Sequence, residues 1–298
     1  MAKSITWAAS AAVLRVMAVA ALGAGLSIAS PTTNAAELYY TTVNFPVVEI
    51  LAIKVHEHGK RITTKEIGAT GAVCASLAMS KWGTLYSVCG AAPGFPGLFG
   101  TQQLATIDLK TGHANLFGEP TVGLAIMSIT FGPDGTLYAV GNCGLDLTDP
   151  RAPACNPGSD PHFNSLYTID VSTGAFSRIG ATGAPQYFMD LAFDRHGRMF
   201  GVTTTLSPSY VPAILYQLDP ATGAATKVVD LIGSSQVMGI AFGDDGQLYG
   251  TDFTAIPGFY VIDMKTGFET ATGSLPLGSS SNLARIEGDD DDDRQSTR

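Results

Sequence analysis

Apolar and polar positions alternate along this chain in runs of four to six residues, each ended by turn chemistry, and amphipathic helical spacing is missing. Alternation with a period of two places successive side chains on opposite faces of a strand. The breaks are of two kinds: Asp-x-x-Thr-Gly after one strand type, and Pro-Asp-Gly or Asp-Asp-Gly after another. Both supply an acid that caps the turn and a glycine that accepts positive φ. The pattern predicts a mainly β fold of many short antiparallel strands.

The strands recur as phrases. LATIDLKTG from Leu104, LYTIDVSTG from Leu166, LYQLDPATG from Leu215 and FYVIDMKTG from Phe259 are one set, with a degraded copy, LAIKVHEHG, from Leu51. The second set is LAMSKWGTLYSV from Leu77, ITFGPDGTLYAV from Ile129, LAFDRHGRMFGV from Leu191 and IAFGDDGQLYGT from Ile240. Its glycines, Gly83, Gly135, Gly197 and Gly246, lie 52, 62 and 49 residues apart. That period fits a propeller blade. Five copies of each half predict an all-β β-propeller of five four-stranded antiparallel blades, with six as the alternative if a long insertion hides a decayed blade. The last copy lacks an LYG-type strand. Glu37 to Thr42 (ELYYTT) matches Gln247 to Asp252 (QLYGTD), so the N-terminal strand is expected to complete that blade and close the ring, leaving no free sheet edge.

These phrases resemble those of secreted bacterial β-propellers with YVTN-like, NHL-like or quinoprotein-like blades, over nearly all of residues 37 to 287. The resemblance implies the fold. Those families include lyases, lactonases, dehydrogenases and binding proteins, and no pattern here carries over a catalytic residue.

The apolar stretch Val16 to Ala29, preceded by Lys3 and Arg15 and followed by small residues, reads as a signal peptide over residues 1–35. The propeller would then occupy 36–287, and the acidic run Asp289 to Asp293 would lie in a solvated, disordered tail at 288–298. No other stretch reaches the roughly 20 residues of a membrane span, so the expected protein is secreted or periplasmic and monomeric. Its 298 residues are 45% hydrophobic and 14% charged, with a formal charge of −9. Without the leader, 15 bases face 26 acids, a charge of −11 that argues against a nucleic-acid partner. In an oxidising compartment Cys74, Cys89, Cys143 and Cys155 are expected as disulfides. Four cysteines allow three connectivities, of which the local argument favours Cys74 with Cys89, across a hairpin, and Cys143 with Cys155.

Candidate chemistry is sparse. Asp108, Asp170, Asp219 and Asp263 are read as turn caps, as are Asp134, Asp244 and Asp245. His56 and His58 form an H-x-H pair, but in a degraded turn, which favours surface histidines over a metal site. Met127, Met189 and Met238 are read as core filler. Two long connections, Cys89 to Gln103 and Gly141 to Asn164, are expected to join the outer strand of one blade to the inner strand of the next and to gather on one face. That face would present Phe95, Phe99, His162, Tyr187, Phe188, Asp190, Tyr210 and Phe253 as ligand-binding residues. Asp190 stands out because the matching third-strand positions are Ser76, Ser128, Gly239 and Asn282, all uncharged. A lone carboxylate there would bind a cation or act as a general base; hydrogen bonding to nearby backbone is the plainer alternative. No catalytic residue and no cofactor is assigned, although a divalent cation such as calcium would suit the site. The expected function is binding of a glycan, peptide or small molecule, with a lyase or hydrolase and a structural surface protein as alternatives.

Overall fold

In the computed structural model the repeated phrases become, among the described residues, 21 strands in five antiparallel sheets. The described residues are 37–44, 48–74, 76–90, 101–121, 124–143, 163–204, 212–233, 236–254, 258–276 and 281–286. The chain enters on β1 (Glu37–Val43), β2 (Glu49–His56) and β3 (Arg61–Ala69). The next blade has its inner strand in two pieces, β4 (Val73–Cys74) and β5 (Ala78–Met79), followed by β6 (Leu85–Gly90), β7 (Gln102–Ile107) and β8 (Ala114–Phe117). Three regular blades follow: β9 (Leu124–Phe131) to β12 (Phe176–Ala181) through β10 (Leu137–Cys143) and β11 (Ser165–Ile169); β13 (Tyr187–Phe193) to β16 (Ala225–Asp230) through β14 (Met199–Thr204) and β15 (Ile214–Leu218); and β17 (Val237–Phe242) to β20 (Glu269–Ser274) through β18 (Leu248–Asp252) and β19 (Gly258–Ile262). The last strand, β21 (Ser281–Arg285), pairs with β1, giving the order β21-β1-β2-β3. The fold is thus a five-bladed propeller closed by the N-terminal strand, as the sequence predicts. Among the described residues no helix is long and apolar enough to cross a membrane.

The blade phase differs from expectation. The innermost strand is the LAF type, and the long connections at 91–101 and 144–164 join the second and third strands of one blade rather than successive blades. Asp190 therefore belongs to an innermost strand. Burial gives the physical reason: β13 and β17 are mostly buried, whereas the outer strands β12, β16 and β20 are half-buried or exposed at every position. An inner strand is covered by its neighbours, and an outer one keeps a face in water.

Turn chemistry behaves as read. Each Asp of the Asp-x-x-Thr-Gly turns accepts the backbone N–H two residues on, at 2.7 to 2.9 Å in Asp108, Asp170, Asp219 and Asp263. These bonds hold the Asp108, Asp219 and Asp263 carboxyls below the usual range, and at Asp170 the Ser172 hydroxyl does so first, with the Ser172 amide. The glycine that follows has a second role. Gly112, at φ +80°, lies so close to the previous blade that a Cβ there would stand 2.3 Å from the Gly68 carbonyl oxygen. Gly223 against Gly180 and Gly267 against Asp230 repeat this backbone-to-backbone seam. Blade faces stack through apolar side chains; Tyr39 of β1 packs edge-on against Tyr249 and Phe259 at 5.6 and 6.0 Å. A disulfide joins Cys74 and Cys89, directly opposite each other in β4 and β6. Cys155 lies outside the described residues, and with it the second expected pairing.

Candidate functional site

The five innermost strands surround the axis, and their repeat-equivalent positions, Ser76, Ser128, Asp190, Gly239 and Asn282, meet there. A β-bulge precedes three of them: Met127, Met189 and Met238 are the extra residues at the register shifts of β9, β13 and β17. A bulge re-aims the next side chain. Asp190 is 1% exposed. Its Oδ1 accepts from Ser128 Oγ at 2.7 Å, the Leu191 amide at 3.0 Å and Asn282 Nδ2 at 2.9 Å. Oδ2 accepts from the amides of Ile240 at 2.7 Å and Leu283 at 3.0 Å. The donors come from four blades, and three are backbone N–H groups of inner edge strands, which have no further strand to pair with. Asp190 thus satisfies edges that the ring would otherwise bury unpaired. Burial pushes its carboxyl up to about 7, against the pull of bonds from Ser128, Ile240, Asn282 and Leu283.

Beyond Asp190, toward the tight-turn end of the axis, lies a cavity of about 310 Å³. Its floor is Leu77, Leu191, Ile240 and Leu283, so Asp190 sits behind it, bonded to the amides of the last three. One residue further along each inner strand comes a ring of small side chains, Ala78, Thr130, Ala192, Ala241 and Ala284. The four alanines line the cavity while each is buried in a different apolar cluster of the ring. The next ring is larger: Met79, Phe131, Phe193, Phe242 and Arg285. The mouth is made by the turns after the inner strands and carries Lys81, Trp82, Pro133, Arg195 and Asp244.

Two acids at this mouth are already paired. Asp194 bonds Arg198, with Nη2 to Oδ2 at 2.6 Å, and caps the amides of His196 and Arg198. Asp244 pairs with Arg285, whose guanidinium also donates to the Phe242 carbonyl at 3.1 Å. Asp244 is therefore an ion-pair partner rather than the turn cap expected of it; Asp245 holds that role, accepting the Gln247 amide at 2.9 Å. Trp82 stands where other blades carry a capping acid, Asp134 or Asp245, and is 75% exposed. Lys81 Nζ lies 4.8 Å from its ring centroid.

Of the residues expected to bind ligand, the described ones are not part of this cavity's lining. Phe188 is a wholly buried core side chain packed edge-on against Tyr216, which gives it no face toward a ligand. Tyr187 is half-buried and meets Phe163 at 5.4 Å; Phe253 is half-buried, its amide bonded to the Gln236 carbonyl. Both lie at the loop-rich end of the axis, opposite the cavity. Phe95, Phe99, His162 and Tyr210 lie outside the described residues. His56 and His58 do not share a strand face: His58 is in a turn at φ +54° and reaches Asp245 at 3.2 Å, while His56 meets Thr63. Among the described residues no three His, Cys, Asp or Glu side chains come together to hold a metal ion. The cavity was missed because its small residues read as ordinary core; the available signal was Trp82, an aromatic in place of a turn acid.

No protein-family model and no curated protein matches this sequence. Among solved structures, a gluconolactonase of Xanthomonas campestris is similar at 15% identity and TM-score 0.46, with 84% of this chain and 80% of that one covered. A putative 6-phosphogluconolactonase of Bacteroides fragilis is similar at 12% and 0.48, covering 87% and 100%. Virginiamycin B lyase of Staphylococcus aureus is similar at 14% and 0.40, covering 81% and 71%. At such identities and scores the strand pairing described above carries the fold assignment by itself, and the chemistry of these proteins is not transferred.

Proposed function

We propose that this protein is an exported, monomeric propeller that binds a small molecule in the axial cavity without transforming it. The observation that carries this reading is the division of labour at the axis. Asp190, the residue best placed by sequence to act as a base, has both oxygens engaged by five donors behind the cavity floor, whereas the cavity itself is lined by apolar side chains together with polar ones, Thr130 and Arg285 within it and Lys81, Arg195 and Asp244 at the mouth. A concave space lined by both apolar and polar side chains suits recognition of a small molecule. Export rests on the N-terminal leader pattern, and the Cys74–Cys89 disulfide fits an oxidising compartment.

The test is a thermal-denaturation screen of small molecules against the wild type and Ala192→Leu, which fills the small-residue ring. Compounds that stabilise the wild type should lose their effect on the variant and be recovered chemically unchanged. Recovery of a converted compound would establish an enzyme instead.

A further inference from the structure

We infer that the cavity takes a small carboxylate with a planar aromatic body, body inward and carboxylate at the mouth; this rests on the cavity being the ligand site. The mouth mixes charges: Lys81, Arg195 and Arg285 stand with Asp194 and Asp244, and the Glu37 carboxylate accepts the Asp244 amide beside them at 2.9 Å. Once Asp194 is assigned to Arg198 and Asp244 to Arg285, Lys81 and Arg195 remain with no carboxylate partner among the described residues. The Arg195 side chain is exposed at the rim, its Nε donating to His196 Nε2 at 3.4 Å and its guanidinium running alongside Gly246 of the neighbouring blade. A planar fork of donors matches a carboxylate. Elsewhere on the rim the exposed Trp82 indole, with Lys81 Nζ 4.8 Å from its centroid, offers a stacking face, and Phe131 and Phe193 line the wall beneath. Depth fixes the orientation. The buried Asp190 carboxyl behind the floor disfavours a second anion there, while an aromatic ring meets Leu, Ile and Ala side chains and Thr130.

The probes are 2-naphthoate, its uncharged amide and cyclohexanecarboxylate, titrated calorimetrically into the intact protein at low salt. Naphthoate should bind at least roughly tenfold more tightly than the amide, as charge-assisted hydrogen bonds require. Arg195→Gln with Lys81→Gln should bring naphthoate down to the amide's affinity. Trp82→Ala should weaken naphthoate more than cyclohexanecarboxylate. Equal binding of acid and amide, both abolished by Ala192→Leu, would overturn the anion inference while leaving the cavity as the site. Naphthoate binding that survives Ala192→Leu would overturn the cavity reading itself, and failure of all three probes to bind would overturn the inference. Should Ala192→Leu not fold, Ala241→Val fills the same ring, and melting curves identify the folded variants.

Discussion

Asp190 in β13 and Leu283 in β21 are separated by 93 residues, and the Leu283 amide donates to Asp190 Oδ2 at 3.0 Å. The bond ties a middle blade to the strand that closes the ring, so the carboxylate is part of the closure as well as of the axis. Asp190→Asn keeps the shape but sets an NH2 group against donors. At pH 5, where the wild-type carboxyl is protonated and likewise sets a hydrogen against these donors, it should cost only about 1 kcal/mol, the low end of the penalty for buried donors left unpaired. Asp190→Ala should cost more. Urea denaturation measures both.

The same residue sets a pH dependence of definite sign. The folded carboxyl titrates near 7, whereas an unfolded aspartate titrates near 3.8, so the folded state holds the proton more tightly. Stability from this group is complete below about pH 4 and is lost as pH rises through 7, by a few kcal/mol on the order of 1.4 per pH unit. The advantage of wild type over Asp190→Asn should therefore shrink between pH 4 and pH 8; an advantage that grows would refute it. The turn aspartates act oppositely, their contribution being present above about pH 4 and lost in stronger acid.

Gly112 and Gly135 have nearly the same φ, +80° and +86°, but different surroundings. A Cβ at Gly135 meets nothing within 4 Å, while one at Gly112 runs into the Gly68 carbonyl. Gly135→Ala should cost about 1 kcal/mol, for the left-handed backbone alone. Gly112→Ala should cost clearly more, because two backbones must separate. Equal losses in thermal melts would mean that the seam is not tightly packed.

Replacing both Cys74 and Cys89 by alanine should cost about 3 kcal/mol, the loop-closure value for a bridge across 15 residues of sequence. Chemical denaturation of this variant beside the wild type measures it, and a difference under about 0.5 kcal/mol would contradict the estimate.

Much of the architecture was legible because a repeat states its rules several times. The Asp and Gly of each Asp-x-x-Thr-Gly turn reappear as an amide cap and a positive φ, and the likeness of ELYYTT to QLYGTD located the closing strand. The phase of the blade was not legible, because a periodic pattern on a ring has no marked beginning. The better cue was charge: Arg178, Lys227 and Glu269 mark outer strands. The site was harder. Ala78, Ala192, Ala241 and Ala284 look like core residues one strand at a time, and become a cavity wall only when five strands converge. Asp190 was visible as an exception, and its partners, 50 to 93 residues away for Ser128, Ile240, Asn282 and Leu283, were not.

Backbone hydrogen exchange with and without a compound that raises the melting temperature shows directly which end of the axis is occupied. The account predicts slowed exchange in the strand ends and turns at 77–82, 130–135, 191–195, 240–244 and 283–285. Protection confined instead to the connections at 91–101 and 144–162 would place the ligand on the loop-rich face and contradict it.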